Sequence, residues 1–359
     1  MIDERRMVEQ FMEMVRIDSE SGYEESMLQY LQAYLGRELG ADCRRDGYGN
    51  LVARWPGRNS QAAPILLACH ADTVKPGQGI APVLEDGVVR SSGATILGAD
   101  DKAGIAEVIE AIRTAPAHPP LEFAITRQEE VGLLGVKNLD FSLLSARQGY
   151  LMDGDVLDTV VIGGPTYVAI DVEITGRAAH AGMEPEKGVS AIRAAARAIA
   201  ALELGRLDAR TTANVGIIAG GIVRNGVPEK TTFAAECRSL DHEKATELAA
   251  HMEEIIRREV AAAGATVKID TQVMCRAVQI AEDSPVVRVC AEAIRSAGLA
   301  PKTTFITGFT DASIYNNRGI ETAVLGIGAQ NEHSCEERIP VADMATAVRI
   351  LHRIFELTA

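Results

Sequence analysis

The sequence predicts an α/β protein interrupted by a smaller α+β insertion, and three observations carry that reading. Pro64-Ile65-Leu66-Leu67-Ala68-Cys69, Leu121 to Thr126, Tyr150 to Met152 and Glu321 to Leu325 are short runs of the kind expected of strands buried in a sheet. Three of them deliver polar residues at their C-terminal ends: His70-Ala71-Asp72, Arg127-Gln128-Glu129-Glu130 and Asp153-Gly154. Open α/β sheets bind ligands at that end. After Gly163-Gly164-Pro165 the texture changes, because Tyr167 to Thr175 alternates apolar and polar residues as an antiparallel strand with one wet face does. The α/β texture returns near Arg276, so the larger domain comprises 1–164 and 276–359 and the insertion 165–275. A chain of 359 residues is long enough for two such domains.

The elements follow from periodicity and punctuation. Residues 3 to about 17 place Met7, Val8, Phe11, Met14 and Val15 on one helical face. A break at Ser19 to Gly22 precedes a helix from about Glu24 to Leu39, with Gly40 as its C-cap. Gly47-Tyr48-Gly49-Asn50 reads as a turn between strands, and Ala81 to Ser92 as a hairpin turning at Glu85-Asp86-Gly87. The helix after Gly98 to Gly104 carries Ile105, Val108, Ile109 and Ile112 at helical spacing. In the insertion, helices are expected over about 187–204 and 241–263, and strands over 167–175, 211–218, 230–240 and 265–274, the order of a small sandwich. The last segment reads as a helix from Ser284 to Ala297, a strand at Glu321 to Leu325 and an amphipathic helix over about 341–357.

Composition narrows the partners. Apolar content of 47% and charged content of 24% are those of a globular protein. A formal charge of −14, without a basic stripe, argues against a nucleic-acid partner. Aromatics at 4% argue against a stacking platform for single strands. No apolar run reaches membrane-spanning length, and the charged start Met1 to Arg6 has no signal-type apolar core after it. Cys43, Cys69, Cys237, Cys275, Cys290 and Cys335 have no framework spacing, so free thiols in a reducing, cytoplasmic compartment are expected.

The chemistry concentrates at the strand ends. Asp100 and Asp101, in the turn Gly98-Ala99-Asp100-Asp101-Lys102-Ala103-Gly104, suit either a helix N-cap or a cation site. His70, Asp72, Asp100, Asp101, Glu129, Glu130, Asp153 and His333 together form a set of imidazoles and carboxylates without a cysteine pair. Mixed nitrogen and oxygen donors suit Zn²⁺ or Mn²⁺ better than Mg²⁺ or Ca²⁺. His70 and Asp72, two apart at a strand end, share a face, so the carboxylate can hold the second nitrogen of a ligand imidazole. The Glu129-Glu130 pair offers one carboxylate to a metal and one to proton transfer. Each residue alone has an ordinary reading as a solvated or hydrogen-bonded group; their joint occurrence, in order, at the ends of buried strands is the signal.

The segments CHADTV (69–74), LGADDKAGIAE (97–107), TRQEEVGLLG (126–135), LMDGD (151–155), GRAAHAGMEPEKGVSAI (176–192), GGIVRNGVPEKTTFAAECRSLD (220–241), TGFTDAS (307–313) and NEHSCEERIP (331–340) together resemble the co-catalytic di-zinc exopeptidases and amidohydrolases. That family includes peptidase T, carboxypeptidase G, aminoacylase and succinyl-diaminopimelate desuccinylase, and the likeness is closest to peptidase T. The resemblance implies a catalytic domain with a mixed sheet flanked by helices, and an inserted sandwich that acts as a lid and dimerises. It implies two Zn²⁺ per subunit, with Mn²⁺ or Co²⁺ as substitutes. Asp100 would bridge them, His70 and Asp153 completing one site and Glu130 and His333 the other. Asp72 would orient His70, the Asp100-Asp101 peptide would be cis, and Glu129 would be the general base and acid. His180 would reach across the dimer to the scissile carbonyl oxygen, and Asn225 and Arg238 would hold the substrate's carboxylate end. Cys69 and Cys335, which flank ligand histidines, are expected to be small buried residues or neighbours of the ligands, not ligands themselves. The activity implied is removal of the N-terminal residue from short peptides, tripeptides foremost. The alternatives are hydrolysis of N-acyl amino acids, or a dimer that keeps the metals without catalysis.

Overall fold

The computed structural model describes residues 1–359, which divide into two compact units. The first comprises Met1–Gly163, Ile280–Phe305 and Thr310–Ala359; the second comprises Gly164–Gln279 with Ile306–Phe309.

The first unit is built on an eight-stranded mixed sheet. Its order is Asp42–Arg45, Leu51–Trp55, Leu121–Thr126, Ile65–His70, Gln148–Gly154, Glu321–Gly326, Thr159–Val161, Lys302–Thr304. Ile65–His70 runs parallel to both Leu121–Thr126 and Gln148–Gly154, and Glu321–Gly326 runs parallel to Gln148–Gly154. Four strands therefore end at one rim, and every residue of Ile65–His70 and Leu121–Thr126 is buried. Continuous apolar sequence was needed there because both faces are covered. The helix Ala99–Thr114 packs on Ile65–His70 and Gln148–Gly154, between the helices Glu4–Val15 and Val341–Thr358. Phe11, Met14, Ile105, Ile109, Val348 and Leu351, from these three helices, are all fully buried.

The second unit is a five-stranded antiparallel sheet in the order Gly205–Asp208, Thr211–Gly220, Lys230–Ser239, Thr166–Thr175, Thr266–Cys275. Alternation puts Val168, Ile170, Val172, Ile174, Phe233 and Ala235 on one face, buried in a core with Ala191, Ala194, Ala195 and Ala198 of Ala191–Ala201 and Met252 and Ile256 of His242–Ala262. Gly205–Asp208 pairs only with Thr211–Ala213. Beyond it, the outer edge of Asn214–Gly220 has no strand neighbour.

The helix expected over 187–204 is shorter, Ala191–Ala201. The Ser190 side chain accepts from the Arg193 amide and starts it, and Leu202 is already extended. Glu203 and Leu204 lead instead into the strand Gly205–Asp208. The short helix Ala312–Asn317 had no reading in the sequence, because six residues give periodicity too little length.

Candidate metal centre

The rim of the first sheet carries the polar cluster. His70 ends its strand with the ring 2% exposed. Its Nδ1 lies 3.0 Å from the Asp72 backbone oxygen and 3.5 Å from Asp72 Oδ1, which turns Nε2 toward the cluster. Nε2 is 3.0 Å from Asp100 Oδ1 and 3.6 Å from Asp153 Oδ1. The other oxygen of Asp100 is 3.1 Å from His333 Nε2, and that nitrogen is 2.9 Å from Glu130 Oε1. One carboxylate thus spans two imidazoles, and each imidazole has a further carboxylate beside it.

Asp72 holds the neighbouring loop as well as the ring. Its Oδ1 accepts from the Glu129 amide at 2.9 Å, and its Oδ2 accepts from the Glu130 amide at 3.2 Å and from Ser21 Oγ at 2.7 Å. A carboxylate on the face shared with His70 therefore fixes where the two glutamates leave the chain. The residue before them, Gln128, sits at φ 55°.

The acidic turn does not cap its helix with a side chain. The helix begins at Ala99, Gly98 is left-handed at φ 72° with no side-chain cap bond, and Asp100 and Asp101 depart from helical dihedrals. The Asp100-Asp101 peptide is cis, as the resemblance implied. Asp100 faces the two histidines, while Asp101 turns back and accepts from the His70 amide at 3.1 Å. Gly104 is required by close approach, since a Cβ there would stand 2.3 Å from Asp101 Oδ1 and 2.6 Å from the Met152 carbonyl.

Several of these oxygens have nothing in the protein to satisfy them. Asp101 Oδ1 and Glu130 Oε1 are buried without a hydrogen-bond partner; Glu130 Oε1 is close to His333 Nε2 but out of alignment with it. Buried carboxylate oxygens are normally paired. Donor atoms of His70, Asp100 and Glu130 lie within 4.8 Å of one another, as do those of His70, Asp101 and Asp153. The donor chemistry and the orphaned oxygens fit a divalent metal cofactor.

Electrostatics point the same way. Burial raises Asp100, but hydrogen bonds from His333 and His70 outweigh it and hold the carboxyl below the usual range. Burial lowers His70, yet hydrogen bonding with Asp100, Asp153 and Asp72 carries it well above the ordinary imidazole value. His333, between Asp100 and Glu130, is raised to about 10. Burial lifts Asp153 to about 7 against the opposing His70 hydrogen bond. Glu129, 7% exposed, is pushed well above the carboxylate range by burial and then by the charge of Asp153. Without a cation, the cluster keeps protons that a cation would displace.

The other sequence candidates lie in the second unit. His180 belongs to the two-residue strand Ala179–His180, paired with Gly226–Val227, and Ala181 donates to the Asn225 carbonyl at 3.0 Å. His180 Nδ1 accepts from the Gly182 and Met183 amides, both at 3.2 Å, which places the ring proton on Nε2 of an exposed side chain. Arg238 lies 4.7 Å from the Tyr167 ring centroid and 5.6 Å from that of Phe309, in a stack where the two rings are 5.3 Å apart. It donates to the Thr307 carbonyl at 3.0 Å and pairs with Glu236 at 2.9 Å, while its Nε is buried without an acceptor.

Two buried acids at the rim were not singled out from sequence. Asp311 accepts from Thr126 Oγ1, and burial lifts it to about 7. Glu337 is 1% exposed and accepts from four consecutive amides, Leu97 to Asp100. Both lie inside segments that carry the resemblance, TGFTDAS and NEHSCEERIP, but no pattern within either segment marks the acid.

Comparison with known proteins places the chain among peptidases. Residues 165–263 match the family model described as the peptidase dimerisation domain, and residues 50–181 match that of peptidase family M28. The chain is 37% identical to the aminopeptidase PepT of Bacillus cereus, with a TM-score of 0.90 over 99% of both chains. It is 34% identical to a tripeptidase of Staphylococcus aureus, with a TM-score of 0.94 over 100% of this chain and 99% of that one. The protein YqjE of Bacillus subtilis is 36% identical over the full length of both.

Proposed function

The chain belongs to the peptidase T-like family of metallopeptidases and is an enzyme, and from that premise we propose that it is an aminopeptidase that removes the N-terminal residue of short peptides, tripeptides foremost. The observation that carries the reading is the Asp100 carboxylate, with one oxygen on His70 and the other on His333. In this reading His70 and Asp153 would hold one Zn²⁺ and Glu130 and His333 a second, with Asp100 available to both; Mn²⁺ or Co²⁺ could substitute. When bound, such ions lower the pKa of water and polarise the scissile carbonyl.

The remaining chemistry belongs to the chain. Glu129 takes the proton of the attacking water and returns it to the leaving amine. Burial raises its carboxyl, so it binds a proton more readily than a solvated glutamate does, as a general base must. Asp72 acts through others, holding the His70 ring and the amides of Glu129 and Glu130. His180, with its proton on Nε2, donates to the carbonyl oxygen as negative charge develops there. Asn225 and Arg238 receive the peptide's carboxylate end. The partly exposed side chain of Arg238 supports that role, since a planar guanidinium suits a carboxylate.

The same reading makes the protein a homodimer through its second unit. It is supported by the unpaired edge of Asn214–Gly220 and by exposed Ile217, Ile218, Ile222 and Val223 nearby in sequence. Six free cysteines support a reducing, cytoplasmic setting.

The test is a mass-spectrometric cleavage screen of zinc-loaded protein on di-, tri- and tetrapeptides and on N-acyl amino acids, with Glu129→Ala as the blank. Loss of one N-terminal residue from tripeptides, absent in the blank, is the expected result. Release of amino acid from the acylated set alone would replace the peptidase reading with an amidohydrolase.

A further inference from the structure

The loop that carries Asp100 is held by a residue far away in sequence. The amides of Leu97 and Gly98 donate to Glu337 Oε2, both at 2.7 Å. Those of Ala99 and Asp100 donate to Oε1, at 2.7 and 3.1 Å. Consecutive amides around a left-handed residue form a concave nest for an anion, and Gly98 at φ 72° supplies that residue. In this protein the anion is built in, and it is almost wholly buried.

Glu337 is also four residues from His333 on a short closed loop. Gln330 and Arg338 exchange backbone hydrogen bonds at 2.9 and 3.0 Å across its base, and the Glu337 amide donates to the Ser334 carbonyl at 3.1 Å. Arg338–Pro340 then joins the strand Val88–Ser91. The His333 loop and the Asp100 turn therefore meet at two points, the His333–Asp100 contact at 3.1 Å and the Glu337 carboxylate in its nest.

We propose that Glu337 is a positioning residue that fixes the spacing of Asp100 and His333, and so sets the affinity of the metal position these two share with Glu130. This rests on the metallopeptidase reading above. It carries an asymmetry: the position with His70 and Asp153 depends on Glu337 through Asp100 alone, whereas the other depends on it through both Asp100 and His333.

The test compares wild type with Glu337→Gln and Glu337→Asp. Gln keeps the shape but turns an amide group toward backbone donors; Asp keeps the charge but falls one methylene short. Zinc affinity is measured by competition with a chelator, and amide hydrogen exchange is followed at Leu97 to Asp100. Glu110→Gln serves as the structural control. Glu110 is another buried carboxylate, on the helix Ala99–Thr114 that carries Asp100, and is bound by Arg6 and the Asp3 amide. Glu337→Gln is expected to keep one zinc equivalent near wild-type affinity and to weaken the other about 10- to 100-fold, the range seen when groups supporting a ligand are removed. Exchange at Leu97 to Asp100 should quicken, and kcat should fall with KM within about twofold. Glu337→Asp should lie between, and carries the test if Gln prevents folding. Glu110→Gln should lower the melting temperature and leave both zinc equivalents intact. Two zinc equivalents of wild-type affinity in folded Glu337→Gln would overturn the proposal, as would unchanged exchange at the four amides. Wild-type protein that takes up no zinc would overturn the functional reading instead, and the exchange data would still decide whether Glu337 holds the turn.

Discussion

The two units depart from the usual partition of polar and apolar groups in opposite directions. The first buries charge: His70, Asp72, Asp101, Glu129 and Glu337 are all below 10% exposure. The second exposes hydrocarbon: Ile217, Ile218, Ile222 and Val223 are all above 50%. Each departure costs stability in an isolated chain, and on the proposed reading each is repaired by something that binds. Buried carboxylates want a cation, and an uncovered apolar sheet edge wants another protein surface. On that reading the site belongs to the first unit and the assembly surface to the second, and either can be broken alone.

The largest effect is expected from Glu129→Ala. It should cut kcat about 100- to 10,000-fold, the usual contribution of positioned proton transfer, while zinc content by elemental analysis stays normal. Near-normal turnover would remove Glu129 from the chemistry. Next comes His180→Ala in the second unit, with a loss of roughly 100-fold in kcat and little change in KM, as for removal of one donor to a developing oxyanion. If steady-state kinetics show only a raised KM, His180 binds substrate and does not stabilise the transition state.

Metal uptake should depend on pH through the first unit alone. His333 is raised to about 10 between its carboxylates, so below that pH a proton must leave it when a cation enters. Apparent zinc affinity should therefore rise as pH rises, by about tenfold per unit for each proton displaced, in chelator competition at pH 6, 7 and 8. A flat profile would mean that His333 takes no part in binding. A smaller effect is expected from the paired change Ile217→Asp and Ile218→Asp. Charge at the open edge should raise the dimer dissociation constant about tenfold or more in light scattering, and leave zinc content unchanged. A strict monomer in wild type would end the dimer proposal and, with it, any role for His180 across subunits.

How far the sequence could be read follows from the range of each interaction. His70 and Asp72 were legible because a strand puts alternate residues on one face, and the rim cluster because buried parallel strands end together. The boundary of Ala191–Ala201 was not, because alanine-rich sequence carries helical periodicity past the point where Leu202 turns extended. The turn of Asp100 by itself left two readings open, cap or cation site; the resemblance chose the second, and the fold brings His70 and His333 to its two oxygens. Glu337 carries no local pattern at all. Its four partners are backbone amides some 240 positions away, and an amide has no identity in a sequence.

The first unit is made of chain from both sides of the second. During synthesis, His70, Asp100, Glu130 and Asp153 emerge early, while His333 and Glu337 wait until all of Gly164–Gln279 has been made. A growing or truncated chain can present acids to a cation, but it lacks both the second imidazole and the carboxylate that seats the Asp100 turn. On the proposed reading, hydrolytic competence then waits for chain that is made only after the whole of the second unit.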